Sequence, residues 1–259
     1  MNESNRGDLQ PVPQSRRPED APSTCDVGLV CALNIEIAPF LERGKKVHKV
    51  RGGDFTFYGV RLGTRRIAIV ETGAGKTPAR KGTQALIDGH NPPWVISVGL
   101  SGGLAEKTVV GDIVVANEVS LATEGSSLTV GMQMEEQPGV HVGKLTTTNQ
   151  IVRLVTEKRE LHERTGALAV DMESYHVAQI CADRQKPFAA IRAISDDLSA
   201  DLPPEILGIM GPKGTVRAGA VFGALLNRPS CVSDLWSLRS RALDSGERLA
   251  KFLVKLLGE

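Results

Sequence analysis

Apolar residues along this chain gather into short runs separated by amphipathic stretches. Asp26 to Ala32 (DVGLVCA) is a continuous apolar run that suits a buried parallel strand. Gly53 to Val70 holds two β-rich pieces, the second ending in Ile67 to Val70, and Gly73 and Gly75 then break the strand. Thr77 to Gly89 predicts a helix with Ala79, Ala85 and Leu86 on one side and a basic face on the other. Trp94 to Val98 reads as the next buried strand, followed by a turn over Gly99 to Gly103, and Asp112 to Ala116 as another strand opened by Gly111. Thr123 to Gly139 is polar and weakly patterned, long enough for a functional loop or flap. Thr148 to Arg164 returns to helical periodicity with Asn149 as N-cap. A short strand is expected at Ala167 to Val170, a helix at Met172 to Arg184 and a buried strand at Pro187 to Ile194. In the helical C-terminal third, Leu249, Phe252, Leu253 and Leu256 form one apolar face that packs on the sheet. The pattern implies an α/β fold: a three-layer αβα sandwich with a mixed, mostly parallel twisted sheet flanked by helices.

Composition narrows the function classes. The 259 residues are 41% hydrophobic and 24% charged, with a formal net charge of +1. Without a broad basic field, and with 4% aromatic residues, nucleic acid is not an expected partner. Met1 to Thr24 is rich in Pro, Arg, Ser and acids and reads as a disordered tail ahead of a single domain over residues 25–259. It lacks the apolar stretch of a signal peptide, and no apolar run reaches the ~18 residues that span a bilayer. The cysteines Cys25, Cys31, Cys181 and Cys231 have no metal or redox spacing and read as reduced residues of a cytoplasmic protein. The scattered histidines form no ligand pair, so no metal site is expected.

Candidate chemistry sits where strands end, the place where open α/β sheets put their ligands. Three signals qualify: Glu36 after the first strand; Ser101-Gly102-Gly103 after the Trp94 strand; and Asp171-Met172-Glu173 together with Ser195-Asp196. Each also has a plainer reading: Glu36 as a solvated first-turn residue, the serine–glycine run as a tight turn, Glu173 as a helix N-terminal acid and Asp196 as a cap. Gly73-Ala74-Gly75-Lys76-Thr77 imitates the end of a phosphate-binding loop, but Val70 stands where the first glycine of that motif is required. Its amides could still face a small ligand.

Taken together, the string Val170, Met172, Glu173 before a helix and Ser195-Asp196 at a strand end resembles the purine nucleoside phosphorylase and methylthioadenosine/S-adenosylhomocysteine nucleosidase family. Within it, Thr165 to Ser174 (TGALAVDMES), Leu202-Pro203-Pro204 and the pattern at Asn227-Arg228-Pro229 look most like the hopanoid-associated members, which are thought to remove adenine from adenosylhopane. The resemblance implies a nucleoside phosphorylase-like fold and cleavage of the N-glycosidic bond of an adenine nucleoside with a 5′ substituent. A methylthioadenosine/S-adenosylhomocysteine nucleosidase and a phosphate-dependent phosphorylase are the alternatives, and a non-catalytic nucleoside-binding module is a further one.

The resemblance also assigns roles. Asp196 would protonate the imidazole ring of the leaving purine, which calls for a carboxyl kept protonated by burial. Glu173 would bind the ribose hydroxyls and stabilise the oxocarbenium-like cation, with Met172 against the sugar. Glu36 would activate the attacking water. Ser101, Gly102 and Ser195 would contact the nucleophile or the ribose. No cofactor is implied, with phosphate a possible co-substrate. Ala32 to Ile37 and Ile96 to Leu100 lack the arginines of the phosphate-using relatives, which favours water, although Arg80 could reach the site from its helix. Relatives place an aromatic over the base from a segment matching Gly143 to Thr148, and this chain has none there. The shortened Leu121 to Gly139 region would leave an open mouth suited to a lipid tail. A homodimer is expected from the family, with peripheral membrane contact if the substrate is a lipid.

Overall fold

The first apolar run becomes a central strand. In the computed structural model, which describes residues 23–209 and 231–258, strand β1 (Val27–Cys31) is buried along its whole length. It lies between two parallel neighbours, β4 (Arg65–Glu71) and β5 (Val95–Gly103). Cover on both faces explains why its sequence is continuously apolar rather than alternating. Beyond β4 the sheet continues antiparallel through β3 (Phe55–Leu62) to the edge strand β2 (Lys45–Gly52). Strand β2 was not expected, because its sequence KKVHKVRG is dominated by cations. Lysine-rich edges are how sheets discourage pairing with other chains, so the apolar signal is missing there.

On the other side of β5 the sheet closes on itself. β5 pairs along one edge with β10 (Phe188–Asp196), β10 with β6 (Ile113–Leu121), β6 with β8 (Val140–Thr147) and β8 with β9 (Ala169–Asp171). β9 then returns to the tip of β5 through Gly102↔Val170 and Gly103↔Ala169. A short β7 (Ser127–Thr129) pairs with β6. The strand ends carrying Ser101, Val170 and Asp196 therefore meet at one rim of this ring.

Helices cover the mixed sheet on both faces. α1 (Asn34–Arg43) packs with the long C-terminal helix on one side, and α2 (Lys76–His90) packs with α4 (Ser174–Asp183) on the other. α3 (Val155–Thr165) and the single turn α5 (Ile206–Ile209) border the rim, and α6 (Cys231–Gly258) is the C-terminal helix. The expected apolar face of α6 is present: Leu249 and Leu253 are fully buried, with Phe252 and Leu256 at its margin.

Three local expectations are corrected. Gly99 to Gly103 is not a turn but the second half of β5: Gly99 to Gly102 pair with Arg192 to Asp196 of β10, with a register shift after Ile194, and Gly102 and Gly103 pair with β9. The helix expected from Thr148 starts only at Val155; Leu154, not Asn149, holds its N-cap position, and the Glu157 carboxylate accepts the N–H groups of Arg153 and Leu154 at 3.2 and 3.0 Å. The Thr123 to Gly139 region is not wholly loop: Ser127–Thr129 forms β7 against β6. The expected tail falls outside the described residues up to residue 22, as does Asn227-Arg228-Pro229. Thr24 is anchored, its N–H donating to the His90 carbonyl at 3.1 Å. No helix among the described residues is long and apolar enough to cross a membrane.

Candidate active site

The site begins with a helix start. Glu36 occupies the third position of α1, where a carboxylate is favoured by the helix dipole. Its side chain folds back, so that Oε2 accepts the N–H groups of Ala32 and Leu33 at 2.9 and 2.8 Å. Oε1 accepts the N–H of Leu100 from β5 at 3.1 Å. This close approach requires Gly99: a Cβ there would lie 2.7 Å from Glu36 Oε1. The glycine that suggested a turn is instead the space the carboxylate occupies. Glu36 is not the solvated residue of the plainer reading. Burial pushes its carboxyl up, opposed by the Arg192 guanidinium and by the backbone N–H donors.

Glu173 comes from the loop between β9 and α4. Its Oε1 accepts the Gly75 N–H at 2.7 Å, so it lies between the N-termini of α2 and α4. Gly75 has φ +94°, which suits glycine, and its amide serves Glu173 rather than an anion. Burial raises the Glu173 carboxyl to about 8, and the neighbouring carboxylates of Asp171 and Glu36 add to the shift. Beneath it lies a buried ion pair. Asp171 Oδ2 accepts from Arg192 Nε at 3.0 Å and Nη2 at 2.7 Å, and Arg192 Nη2 also donates to Ser97 Oγ at 2.8 Å. Asp171 Oδ1 accepts Thr147 Oγ1 at 2.7 Å, and the Ser174 N–H donates to the same carboxylate. Asp171 is thus consumed in holding the start of α4.

Asp196 ends β10 at the same rim. Ser195 Oγ donates to its Oδ1 at 2.8 Å, and Lys158 Nζ of α3 donates to its Oδ2 at 2.6 Å. The Lys158 side chain is 0% exposed and that of Asp196 14%. Asp196 is therefore ion-paired and partly open, not enclosed in the apolar surround its expected role called for. Ser101 Oγ is buried and has no hydrogen-bond partner among the described residues.

These residues line one cavity of about 230 Å³: Glu36, Ser101, Gly102, Met172, Glu173, Ser195 and Asp196 all face it. These seven are the residues to which the resemblance assigns roles; Gly103, the last of the serine–glycine run, is not in the lining. Its apolar lining includes Leu33, Ile151, Val152 and Leu202, with Ile206 of α5 and Leu238 and Ala242 of α6. No aromatic side chain and no residue of the Thr123 to Gly139 region is among the described residues lining it. Arg80 does not reach the cavity; it donates to Gln179 of α4 at 2.8 Å.

Two partners escaped the sequence reading. Arg192 had a signal, a lone cation inside the apolar run Phe188–Asp196. Lys158 had none, because it sits in a helix whose sequence is polar on nearly every side.

Comparison with known proteins places this geometry. A family model described as the Phosphorylase superfamily matches residues 26–135 and 120–226. The chain is 26% identical over 204 residues to the 5′-methylthioadenosine/S-adenosylhomocysteine nucleosidase of Shewanella pealeana, covering 68% of this chain and 88% of that protein. To the enzyme of the same name from Thermotoga maritima it is 29% identical over 177 residues, covering 63% of this chain and 81% of that protein. The fold is similar to that of the nucleosidase from S. pneumoniae solved with the transition-state inhibitor MT-ImmA, with a TM-score of 0.69 and 17% identity over 90% of this chain and 98% of that one.

Proposed function

The chain belongs to the phosphorylase superfamily, and from that premise we propose that it is a purine nucleosidase that hydrolyses adenine nucleosides carrying a 5′-thio substituent, of the methylthioadenosine and S-adenosylhomocysteine class. The observation that carries this reading is the convergence of Glu36, Glu173 and Asp196 on one cavity beside the unpartnered Ser101 hydroxyl. A binding protein needs no such set of acids.

The proposed roles are those the resemblance implies for residues that line the cavity. Asp196 delivers a proton to the imidazole ring of the base, so that the base leaves neutral. Glu173 accepts the ribose hydroxyls and, as a carboxylate, stabilises the positive charge that develops at the anomeric carbon. Met172 packs on the sugar. Glu36 takes a proton from the attacking water, and Ser101 Oγ offers that water or a ribose hydroxyl a partner. No free cation is among the described residues lining the cavity to hold a phosphate dianion, which favours water as the nucleophile. The Arg192 guanidinium, already bound by Asp171 and Ser97, is not free to compensate. In place of an aromatic stack, the base meets the apolar walls Ile151, Val152 and Leu202.

The test is adenine release from methylthioadenosine and S-adenosylhomocysteine with and without phosphate. Release that does not depend on phosphate is expected; release only with phosphate would make the enzyme a phosphorylase.

A second reading has its own observation. Ile206, Leu238 and Ala242 add further apolar lining to the cavity, which suits a larger hydrophobic 5′ group such as the hopane of adenosylhopane. A panel of nucleosides with 5′ substituents of increasing length decides it: a steep preference for the short ones excludes the lipid.

Glu173 also makes ligand binding pH-dependent. Its carboxyl is raised in the empty site, whereas ribose hydroxyls donating to it favour the ionised form. Binding therefore releases a proton. Affinity for a non-hydrolysable nucleoside analogue is expected to rise by up to about tenfold per pH unit over the acidic to neutral range, levelling off above about 8. Calorimetric titration in two buffers of different ionisation enthalpy measures the proton released, and affinity that does not change with pH would refute the assignment.

A further inference from the structure

We infer that Lys158 is a positioning residue for Asp196 and the reservoir of the proton that Asp196 passes to the leaving base. This inference rests on the purine nucleosidase reading above. A lysine without exposure is costly to bury unless its charge is met, and here it is met at the candidate acid. Nζ donates to Asp196 Oδ2 at 2.6 Å and to the Asp197 carbonyl at 2.9 Å. The approach is open because position 102 is glycine: a Cβ there would lie 3.1 Å from Asp196 Oδ2 and 3.6 Å from Lys158 Cε. β5, β10 and α3 thus meet at one point, with the lysine sealed behind the carboxylate and the cavity in front of it.

The surrounding charges leave Asp196 as the acid that faces Lys158. The Asp197 carboxylate is turned to the Val110 N–H at 3.1 Å and is influenced by Arg241 of α6. On α3, Glu157 is held by backbone amides and Arg159 pairs with Glu106. Asp201 accepts the Val155 N–H at 2.7 Å, and β5 contributes only the uncharged Gly102.

The proton balance is closed. Lys158 passes one Nζ proton to the Asp196 carboxylate, and the carboxyl so formed passes a proton to the imidazole nitrogen. The bond from the anomeric carbon to the base breaks, its electron pair goes to the base, and adenine departs neutral. Water adds its oxygen to the anomeric carbon and its proton to Glu36. After adenine has left, Glu36 gives its proton to solvent, and a solvent proton entering through the cavity is taken up by Asp196 and passed back to the neutral Lys158 amine, which is buried behind it. The lysine also resolves the conflict between the ion pair and the acid role, because the pair stores a proton even while Asp196 is a carboxylate.

Lys158→Met and Lys158→Arg separate this role from simple support of the fold. Each is assayed on methylthioadenosine, whose base must be protonated to leave, and on nitrophenyl riboside, whose leaving group needs no proton. In Lys158→Met, kcat on methylthioadenosine is expected to fall ~10²-fold or more, while kcat on nitrophenyl riboside stays within about threefold of wild type. Lys158→Arg keeps a charge partner for Asp196 but does not give up its proton, so it should show the same selective loss and decides the matter if the methionine variant does not fold. Equal losses on both substrates, or no loss on either, would overturn the inference. Failure of wild-type protein to release adenine at all would instead overturn the nucleosidase reading.

Discussion

Asp196→Asn is expected to abolish most adenine release, lowering kcat on methylthioadenosine by ~10²–10⁴-fold, the range of a lost general acid. Asparagine keeps the shape and an oxygen that can accept from Lys158 Nζ, which now lies 2.6 Å from the carboxylate. It cannot release a proton, so the purine has to leave as an anion. Binding of a nucleoside analogue should persist, because the proposed ribose contacts are to Glu173 and Met172, which also line the cavity. Single-turnover adenine release together with analogue-induced thermal stabilisation separates the two effects. A variant that binds the analogue and keeps more than a tenth of wild-type activity would remove Asp196 from the acid role.

Removing the guanidinium beneath the site is expected to have the largest effect on stability. Arg192→Met leaves Asp171, whose side chain is 1% exposed, without its ion partner. Breaking a buried pair from one side typically costs about 3–5 kcal/mol, because an uncompensated charge remains. The loss should propagate to the chemistry. Asp171 accepts the Ser174 N–H at the start of α4, and Arg192 opposes the effect of burial at both Glu36 and Glu173. Adding Asp171→Asn to Arg192→Met should recover part of the stability, since the stranded charge is gone, without restoring activity. Urea denaturation of the single and double variants measures this. A single-variant loss below about 1 kcal/mol would mean that the pair is not what holds the acids apart and in place.

Much of the site could be read from the sequence because each acid is tied to a local signal. Glu36 follows a continuous apolar strand, Glu173 precedes a helix, and Asp196 closes a buried strand; strand ends made them candidates, and the resemblance of the motifs taken together selected them. The apolar periodicity of Leu249, Phe252, Leu253 and Leu256 likewise specified one face of α6, because helical spacing is a local property. The sequence by itself therefore determined the alternation of strands and helices and the candidate acids that line one cavity. It did not determine what those acids touch. Gly99 looked like a turn residue, and only the approach of α1 shows it to be a vacancy for the Glu36 carboxylate. Strand β2 was hidden by its cations, and the ring closed by β9 on β5 joins residues far apart in the chain. Lys158 and Asp196 lie 38 positions apart and carry no shared pattern. Their pairing was decided by tertiary structure alone, because a buried charge is tolerated only where another part of the chain brings its counter-charge within hydrogen-bond reach.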